Sequence, residues 1–586
     1  MRMPRIALSA ALLVAASLGV ATPAAAAEPV TVKLLSIADF HGQLAPPPAN
    51  DGGQIPGPNG SKVTVGGAAY LATHLKNLRA DAENSMLIAA GDQFSGWPFT
   101  VEIHRDEPTV EVLNNLGLDV NGVGNHELDV SRDFLVDHMA KGECFGEIGE
   151  DSCFTDSSGQ RFHGADFDMS TANVVAKNNG EPILAPYVIK EMKAPDGSTI
   201  PVGVISITPP GTEHGSTSYQ TDVTTLDSVE TLNKYAAELK AKGVNAIVAN
   251  VHDGAANRSS SASYNDCDLK PDGPLVKVAN EASSDIDAIV GGHWHTRFNC
   301  TLPDPAGNPR PVVEPGHHGG VINEINLALD PATGEVDRAA TTSENHPVTR
   351  DVTPDPEMQD IVDYWNEQGD KRFARPVAEL DGDFTRVKDD SGESTMGNLT
   401  ADVNLWTANH SHGGEADFAI TMTDPHKGSN AIRADLKVAD SGKPGDAEGR
   451  VMEGEAWDAY GYNNPVLTVS LTGEQIDAAL EQQWTSAKFA PLAVSSNVEY
   501  SFSASAPIGS KVEPGDVRID GEPLDPERTY RVAALAYTLL GSDGIAAFTG
   551  FTEAHRNDPP DFLAFIEYLE QAGTLAPAPL DRVDVG

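Results

Sequence analysis

Short apolar runs recur along the first half of the chain, and each is closely followed by a polar residue able to bind a metal. The runs cover residues 32–37, 86–90, 246–251 and 286–290. Their length and their β-branched content predict short buried strands. The polar residues that follow them are Asp39, Asp92, His252 and His293. Because strand ends on one edge of a sheet meet at a crevice, these side chains are expected to converge.

Helical patterns alternate with these strands, which predicts an α/β domain over residues 28–350. The helical stretches cover 68–79, 109–116 and 229–242. A segment rich in helix formers, 357–373, predicts a linking helix within 351–375. A composition shift and an apolar run at 530–540 predict a smaller α/β domain over 376–586. A chain of 586 residues without internal repeats is expected to hold at least two domains.

The first 27 residues have the pattern of a secretory signal peptide. Two arginines precede an apolar stretch at 6–20, and four alanines end at Ala27. The stretch is too short to span a bilayer comfortably, and no later segment approaches the length of a membrane helix. A secreted, extracellular protein without a membrane anchor is the expectation.

Charge and cysteine content agree with an exported protein that acts on small molecules. The chain has 40 Lys and Arg against 86 Asp and Glu, a net charge of −46. Such a field repels polyanions, so a nucleic acid polymer is not an expected partner. Four cysteines fit an oxidising compartment, and the pairings Cys144–Cys153 and Cys267–Cys300 are favoured over the other two connectivities because Cys144 and Cys153 are close in sequence.

The candidate chemistry lies in five ordered elements that could bind two adjacent divalent metals. They are Asp39-x-His41, Gly91-Asp92, Gly124-Asn125-His126-Glu127, His252 and Gly292-His293-Trp294-His295. A lone histidine is more often a surface or hydrogen-bonded residue, so the prediction depends on the whole set. The carboxylate of Asp92 is predicted to bridge two ions about 3.5 to 4 Å apart. Asp39, His41 and His295 would complete one ion, and Asn125, His252 and His293 the other.

This assignment leaves His126 without a metal. An unligated imidazole beside the ions could contact phosphate or protonate a departing alkoxide, and Asp129, three residues on, could fix its tautomer. His126 and Asp129 are therefore predicted to form the catalytic dyad. His317 and His318, in Pro-Gly-His-His-Gly-Gly, are predicted to be loop residues facing water, with a role in supporting the ligands as the alternative. The loops 46–58 and 440–449 are also predicted to be exposed.

With these motifs and a separate C-terminal domain, the chain resembles the secreted 5′-nucleotidase and 2′,3′-cyclic-nucleotide phosphodiesterase family. The C-terminal resemblance rests on Met396-Gly397-Asn398-Leu399, Leu471-Thr472-Gly473-Glu474 and Gly541-Ser542-Asp543-Gly544. The resemblance implies a four-layered metallophosphoesterase sandwich joined by a helix to a substrate-specificity domain. It also implies a nucleobase stacked between Tyr462 and Tyr537, a base contact from Asn464 and a ribose contact from Asp543.

The chain departs from the family pattern where phosphate or ribose is recognised. Gly392-Glu393-Ser394-Thr395 stands where the family commonly has an arginine. Arg433 matches the family's second arginine, but residues 423–432 differ from the usual approach loop, and Lys427 or His426 would replace a bidentate fork imperfectly. The preferred nucleotide is therefore left open.

The expected function is hydrolysis of nucleotide phosphates by metal-bound water, with two ions of zinc, manganese, cobalt or iron. The alternatives are hydrolysis of nucleotide sugars or other phosphate esters on the same scaffold, or a secreted nucleotide-binding or adhesion protein without catalysis. Neither the oligomeric state nor the extent of domain rotation is encoded in a recognisable pattern.

Overall fold

The computed structural model describes residues 28–95, 98–411, 413–443 and 445–586. The predicted signal peptide, residues 1–27, lies outside the described residues.

The first of two six-stranded sheets contains the amino-terminal strand. Four of its strands, Val30–Ile37, Ser85–Ala89, Val120–Gly122 and the edge strand Asp168–Ser170, run parallel. Val321–Leu329 and Thr342–Pro347 extend it antiparallel on the side of the first strand. Because these strands are parallel, the polar residues that follow them in the chain lie at the same edge of the sheet.

The second sheet has a parallel centre and antiparallel outer strands. Its strands, in spatial order, are Arg297–Pro303, Pro309–Pro315, Ala288–Gly291, Ala246–Val251, Thr199–Ile207 and Tyr187–Lys193. The central strands are buried on both faces, which explains why they are continuous apolar runs rather than alternating ones.

Apolar side chains fill three layers around these sheets. One core cluster lies between the sheets and includes Leu34, Ile88 and Val248. The outer face of the first sheet packs on Ala68–Arg79, Glu107–Leu116 and Pro356–Phe373, and that of the second on Ser228–Ala241 and Pro274–Glu281. The predicted four-layered α/β sandwich is confirmed.

The smaller C-terminal unit is built on a five-stranded sheet. Its strands in spatial order are Leu492–Val494, Phe418–Met422, Thr529–Leu535, Val466–Thr472 and Ala554–Asn557. Its helices are Thr395–His410, Glu453–Ala459, Gly473–Glu481, Ala536–Leu539 and Asp561–Ala572. Thr472 ends the strand Val466–Thr472 and caps Gly473–Glu481 by accepting from the Gln475 amide, so the motif Leu471-Thr472-Gly473-Glu474 is a strand-to-helix turn.

Smaller elements complete the fold. A three-stranded sheet joins Arg450–Met452, Pro376–Leu380 and Thr574–Leu575, and a four-stranded sheet joins Glu522–Pro523, Val517–Ile519, Val498–Phe502 and Val583–Val585. Two strand pairs are Gln54–Pro56 with Lys62–Thr64 and Val174–Ala176 with Val223–Thr225. Short helices are Ala49–Gly53, Pro58–Gly60, Phe99–Ile103, His126–Leu128, Phe134–Met139, Thr212–His214, Pro514–Asp516 and Ala546–Gly550.

Both predicted disulfides, Cys144–Cys153 and Cys267–Cys300, are formed. In the described part of the chain, no helix combines the length and the apolar character needed to cross a membrane.

The linking helix, Pro356–Phe373, ends in an ionic clasp on the C-terminal unit. Its Trp365 is buried against the first sheet's helices, and Asp355 caps its first turn by accepting from the Met358 amide. At its end, Arg372 and Arg375 donate to the fully buried carboxylate of Glu453 at 2.8 to 3.0 Å. The clasp fixes the helix to the start of Glu453–Ala459.

Glu453→Gln is expected to lower the free energy of unfolding by about 2 kcal/mol at pH 7, because the two arginines lose a charged acceptor. Burial alone would raise the pKa of Glu453, but the hydrogen bonds from Arg375 and Arg372 hold it below its ordinary value of 4.5. A depressed pKa stabilises the fold above the unfolded-state value, and the gain is lost as pH falls through the folded-state value. Denaturant unfolding at pH 7 and at acidic pH should show the difference shrink on acidification.

The control is Glu367→Gln on the same helix, where the ion pair with Lys371 is exposed. That change is expected to cost less than about 0.5 kcal/mol. Equal losses in the two variants would contradict the role of the clasp.

Candidate metal and nucleotide site

Both inner sheets deliver the predicted ligands to one edge of the sandwich. Asp39, Asp92 and Asn125 each follow a strand of the first sheet by two or three residues. His252 directly follows Ala246–Val251, and His293 follows Ala288–Gly291 by two residues. The predicted strand ends therefore converge as the sequence pattern indicates.

Six of the predicted ligands form two compact groups. In each group, one ligand atom per residue lies within 4.8 Å of the others: Asp39, His41 and His295 form the first, and Asp92, His252 and His293 the second. Asp92 Oδ2 lies 2.9 Å from His252 Nε2 and 4.0 Å from His41 Nε2, so this carboxylate is between the groups. That is the position a bridging ligand requires.

The backbone at these residues is strained. Asp39, His41, Asp92, His293 and His295 all have φ between 50° and 71°, in the left-handed region. Each such non-glycine residue costs about 1 to 3 kcal/mol, and such strain is concentrated at functional sites. The fold therefore stores conformational energy at the residues that would hold the ions.

Glu127 holds together the two loops that carry Asp92 and Asn125. The sequence patterns gave this glutamate no role. The carboxylate of Glu127 accepts hydrogen bonds from the backbone amides of Asp92 (2.8 Å), Gln93 (2.9 Å) and Gly124 (2.7 Å). Both its oxygens are engaged, so it is a positioning group rather than a ligand. In the sequence, the position of Glu127 directly after His126 in Gly-Asn-His-Glu was the feature that could have indicated this role.

The donor set fits two divalent cations. A hydrogen bond between His252 Nδ1 and the Ala90 carbonyl (2.5 Å) leaves Nε2 on the side of Asp92. Burial lowers the pKa values of His293 and His295 to about 4, so both imidazoles are neutral and can donate a lone pair at neutral pH. Among the described residues, the buried Oδ1 of Asn125 has no hydrogen-bond partner, as expected of a ligand oxygen.

His126 and Asp129 form the predicted pair. His126 Nδ1 lies 2.6 Å from Asp129 Oδ2, across the single turn that begins at His126. Burial disfavours the imidazolium, but Asp129 and Asp92 outweigh it and raise the pKa of His126 to about 10. The ring lies 5.2 Å from that of His41, so a proton donor stands beside the first ligand group.

A cavity of about 450 Å³ brings together four of the predicted substrate residues. Tyr462, Asn464, Tyr537 and Asp543 line it, together with Ser216 and Thr217 from the larger domain. Its size suits a nucleoside. The buried Oδ1 of Asn464 has no hydrogen-bond partner within the described chain, and burial raises the pKa of Asp543 to about 6.

Arg433 does not line this cavity. Its guanidinium lies 4.8 Å over the ring of Tyr462 and donates to the Trp457 carbonyl. A cation over an aromatic face restrains the ring, so Arg433 positions Tyr462 in this structure.

The divergent loop 423–430 packs directly on the cavity. At Gly428, whose φ is +73°, an added Cβ would lie 1.7 Å from the Tyr537 hydroxyl, so only glycine fits. Lys427 N donates to the Asp543 carbonyl (3.0 Å), and His426 Nε2 lies 2.9 Å from the Gln482 carbonyl. The loop thus shapes the pocket wall through its backbone at Lys427 and Gly428 and is anchored by the His426 side chain.

The expectation that His317 and His318 face water is wrong. His318 is buried, and its ring lies 6.0 Å from that of His41, while His317 stacks on the predicted ligand His295 at 4.5 Å. The loop 46–58 is also only partly exposed: Pro47, Gly53 and Ile55 are buried. The two segments pack on each other, which their local turn composition could not indicate.

Arg556 is a further residue that the sequence did not single out. This arginine of the C-terminal unit is mostly buried and donates to the backbone carbonyls of Tyr219 (2.8 Å) and Asp129. It therefore ties the smaller unit to the backbone of the dyad.

Two family models match the chain. The calcineurin-like phosphoesterase model matches residues 32–297, and the 5′-nucleotidase C-terminal domain model matches residues 376–550.

Several curated relatives match over most of the chain. The cell wall protein Lmo0130 of Listeria monocytogenes is 27% identical over 94% of this chain and 68% of its own length. The endonuclease YhcR of Bacillus subtilis is 24% identical over 93% of this chain, which spans only 40% of that relative. The 2′,3′-cyclic-nucleotide 2′-phosphodiesterase/3′-nucleotidase of Haemophilus influenzae is 24% identical over 71% of this chain and 62% of its own length.

Solved structures share the fold. The 5′-nucleotidase precursor of Thermus thermophilus is 25% identical, with a TM-score of 0.51 over 95% of this chain and 99% of that one. The NAD nucleotidase of Haemophilus influenzae is 17% identical, with a TM-score of 0.57 over the same shares. The chain therefore belongs to the metal-dependent phosphoesterases in which a calcineurin-like phosphoesterase domain precedes a 5′-nucleotidase C-terminal domain.

Proposed function

We propose that this protein is a secreted dinuclear-metal phosphohydrolase that hydrolyses the phosphate esters of nucleotides, releasing phosphate as a 5′-nucleotidase, opening the ring as a 2′,3′-cyclic-nucleotide phosphodiesterase, or both. The observation that carries the proposal is the combination of two Asp/His ligand groups with a nucleoside-sized cavity lined by two tyrosines and a carboxylate. The disulfides and the amino-terminal sequence pattern support export.

The residues divide into ligands and groups that act on the substrate. Asp39, His41 and His295 would hold one ion, Asn125, His252 and His293 the other, and Asp92 would bridge them. Two such ions supply Lewis acidity and lower the pKa of water, so that a nucleophile is available near neutral pH. Their donor atoms suit zinc, manganese, cobalt or iron.

His126 is the side chain proposed to stabilise negative charge on the phosphate or on the leaving oxygen. Held by Asp129 at 2.6 Å, its imidazolium can hydrogen-bond a phosphoryl oxygen or protonate the leaving oxygen. The carboxylates of Asp39 and Asp92 already have other partners. Asp39 accepts a hydrogen bond from the His293 amide and Asp92 accepts one from the His126 amide, both at 2.9 Å. Neither is proposed as a nucleophile, and no covalent phosphoenzyme is needed.

The C-terminal cavity would select the nucleoside. Tyr462 and Tyr537 would stack on the base, which tolerates any base because every base has an aromatic face. Asn464 would contact the base edge, and Asp543 would accept from the ribose hydroxyls. The family's arginine before Met396 is missing, and Arg433 lies against Tyr462, so a nucleotide sugar or another phosphate ester is the second candidate substrate.

Hydrolysis of a substrate panel, followed by chromatography of the nucleotide products and by a phosphate assay, tests the proposal. The panel contains 5′- and 3′-AMP, 2′,3′-cyclic AMP, a nucleotide sugar and glycerol 3-phosphate, each with added divalent metal and with chelator. We expect metal-dependent release of phosphate from 5′-AMP, metal-dependent opening of the cyclic nucleotide to a nucleoside monophosphate, or both. Cleavage of the nucleotide sugar alone would favour the second candidate, and no hydrolysis with any metal would favour a binding protein.

Tyr462→Ala is expected to raise KM for the nucleotide substrate about tenfold to a hundredfold, because base–aromatic stacking contributes about 1 to 3 kcal/mol per base. The kcat/KM for glycerol 3-phosphate, which has no base to stack, should change little if that ester is a substrate. Steady-state kinetics with both esters separates the effects. Tyr462→Phe keeps the ring and should retain the wild-type KM; an increase as large as that of the alanine variant would argue against stacking.

A further inference from the structure

A third group of ligand-type side chains lies beside the first two. One ligand atom each from Asp51, His317 and His318 lies within 4.8 Å of the others. Asp51 is exposed in the turn-like segment Ala49–Gly53, where its own backbone is not helical, and the two histidines follow the strand Pro309–Pro315. This group therefore joins two segments that are far apart in sequence.

The space at the centre of this group is kept open by a glycine. Gly52 has φ +83°, and an added Cβ would lie 2.7 Å from His317 Nε2 and 3.1 Å from His318 Nδ1. His317 Nε2 thus faces this volume, whereas His318 Nδ1 lies 3.2 Å from the Asp51 carbonyl, to which it donates, so that Nε2 is the His318 nitrogen left for a cation. A side chain at position 52 would fill it, and the left-handed backbone also disfavours one.

The group is held in place by contacts that do not depend on a ligand. The amide of His318 donates to the Asp39 carbonyl (2.8 Å), which ties it to the first ligand group. Arg350 donates to the carbonyls of Pro47 (2.8 Å) and Val65 (2.6 Å), which anchors the segment that carries Asp51. Positions fixed in this way lose little entropy on binding.

We propose that Asp51, His317 and His318 form a third cation site, distinct from the two ligand groups of the proposed catalytic centre. Two imidazoles and one carboxylate match the ligand preference of zinc and similar transition metals rather than that of calcium or magnesium. Three protein ligands leave at least one coordination position for water or a phosphate oxygen. Because Asp51 is exposed, this site binds more weakly than the buried pair.

The site adjoins the proposed catalytic centre without sharing a ligand with it. The rings of His317 and His295 stack at 4.5 Å with an interplanar angle of 19°. A cation at this site therefore places positive charge next to the first group, where an anionic substrate approaches. Its occupancy would depend on the free metal concentration.

Zinc stoichiometry tests the inference. Tag-free protein stripped with chelator is dialysed to equilibrium against buffers of rising free zinc, and bound zinc is measured by elemental analysis. We expect the wild-type protein to bind three ions per chain and both Asp51→Asn and His317→Gln to bind two. Asp81→Asn, which changes an exposed carboxylate outside the group, should still bind three.

Retention of the two tighter ions in Asp51→Asn and His317→Gln shows that these variants remain folded at the centre. A third ion retained in both variants binds elsewhere and overturns the proposal. Saturation of the wild-type protein at two ions overturns the third site alone, whereas one ion or none overturns the dinuclear centre together with it.

Discussion

Asp92→Ala is expected to lose both ions of the proposed dinuclear centre, keeping at most the ion of the proposed third site, and to lose phosphate release by about four orders of magnitude or more. Asp92 lies between the two ligand groups, with Oδ2 2.9 Å from His252 Nε2, so its removal would take a ligand from both of the proposed ions. Without the ions, water is a poor nucleophile at neutral pH and the phosphate charge is not neutralised. Elemental analysis together with kcat measured at saturating metal gives the result.

Asp133→Ala is the matched control, because Asp133 lies in the same domain but is exposed and pairs with Arg132 on the surface. It should keep its metal and its kcat. Wild-type protein in chelator should show the same residual activity as Asp92→Ala. If Asp92→Ala bound as many ions as the wild-type protein, the bridging assignment would have to be abandoned.

His126→Ala is expected to keep its metal and to lower kcat by about two to four orders of magnitude. The Asp92 carboxylate accepts from the backbone amide of His126 at 2.9 Å, and that contact survives the change to alanine. The ligand groups are therefore undisturbed, while the proton donor is gone. Metal content and kcat measured on the same preparation separate this variant from Asp92→Ala.

Asp129→Asn refines the same prediction through the pH dependence of kcat. Asp129 and Asp92 together raise the pKa of His126, so loss of one charge lowers that pKa and deprotonates the ring at lower pH. The alkaline limb of the kcat profile should move to lower pH, with a loss of about tenfold to a hundredfold at neutral pH. Equal metal loss in His126→Ala and Asp92→Ala would contradict the separate roles of ligand and dyad.

Features encoded by neighbouring residues were predictable from the sequence. The strand that ends before Asp39 and the linking helix are both visible as local periodicity, because the burial of each element follows the spacing of its apolar residues. The pairing of Cys144 with Cys153 also followed from short sequence separation. The four-layered fold came from the family resemblance together with these elements.

Features that depend on contacts between distant segments were not predictable. Turn residues around His317 and His318 suggested exposure, but the segment around Asp51 packs over them. Arg433 matched a family arginine, yet its side chain lies over Tyr462 rather than in the cavity. The contacts of Arg556 could not be predicted from the sequence, because its partners, Tyr219 and Asp129, are more than 300 residues away in the chain.

The sequence by itself determined the ligand types, their order and the strands that carry them, because these depend on residues a few positions apart. Only the tertiary structure decided which side chains surround the ligands, since the two sheets and the two domains bring together residues hundreds of positions apart. The same long-range packing places Glu127 where it accepts hydrogen bonds from two loops. It also places the group of Asp51, His317 and His318 beside the group of Asp39, His41 and His295. Local patterns set which side chains are available, and packing sets which of them meet.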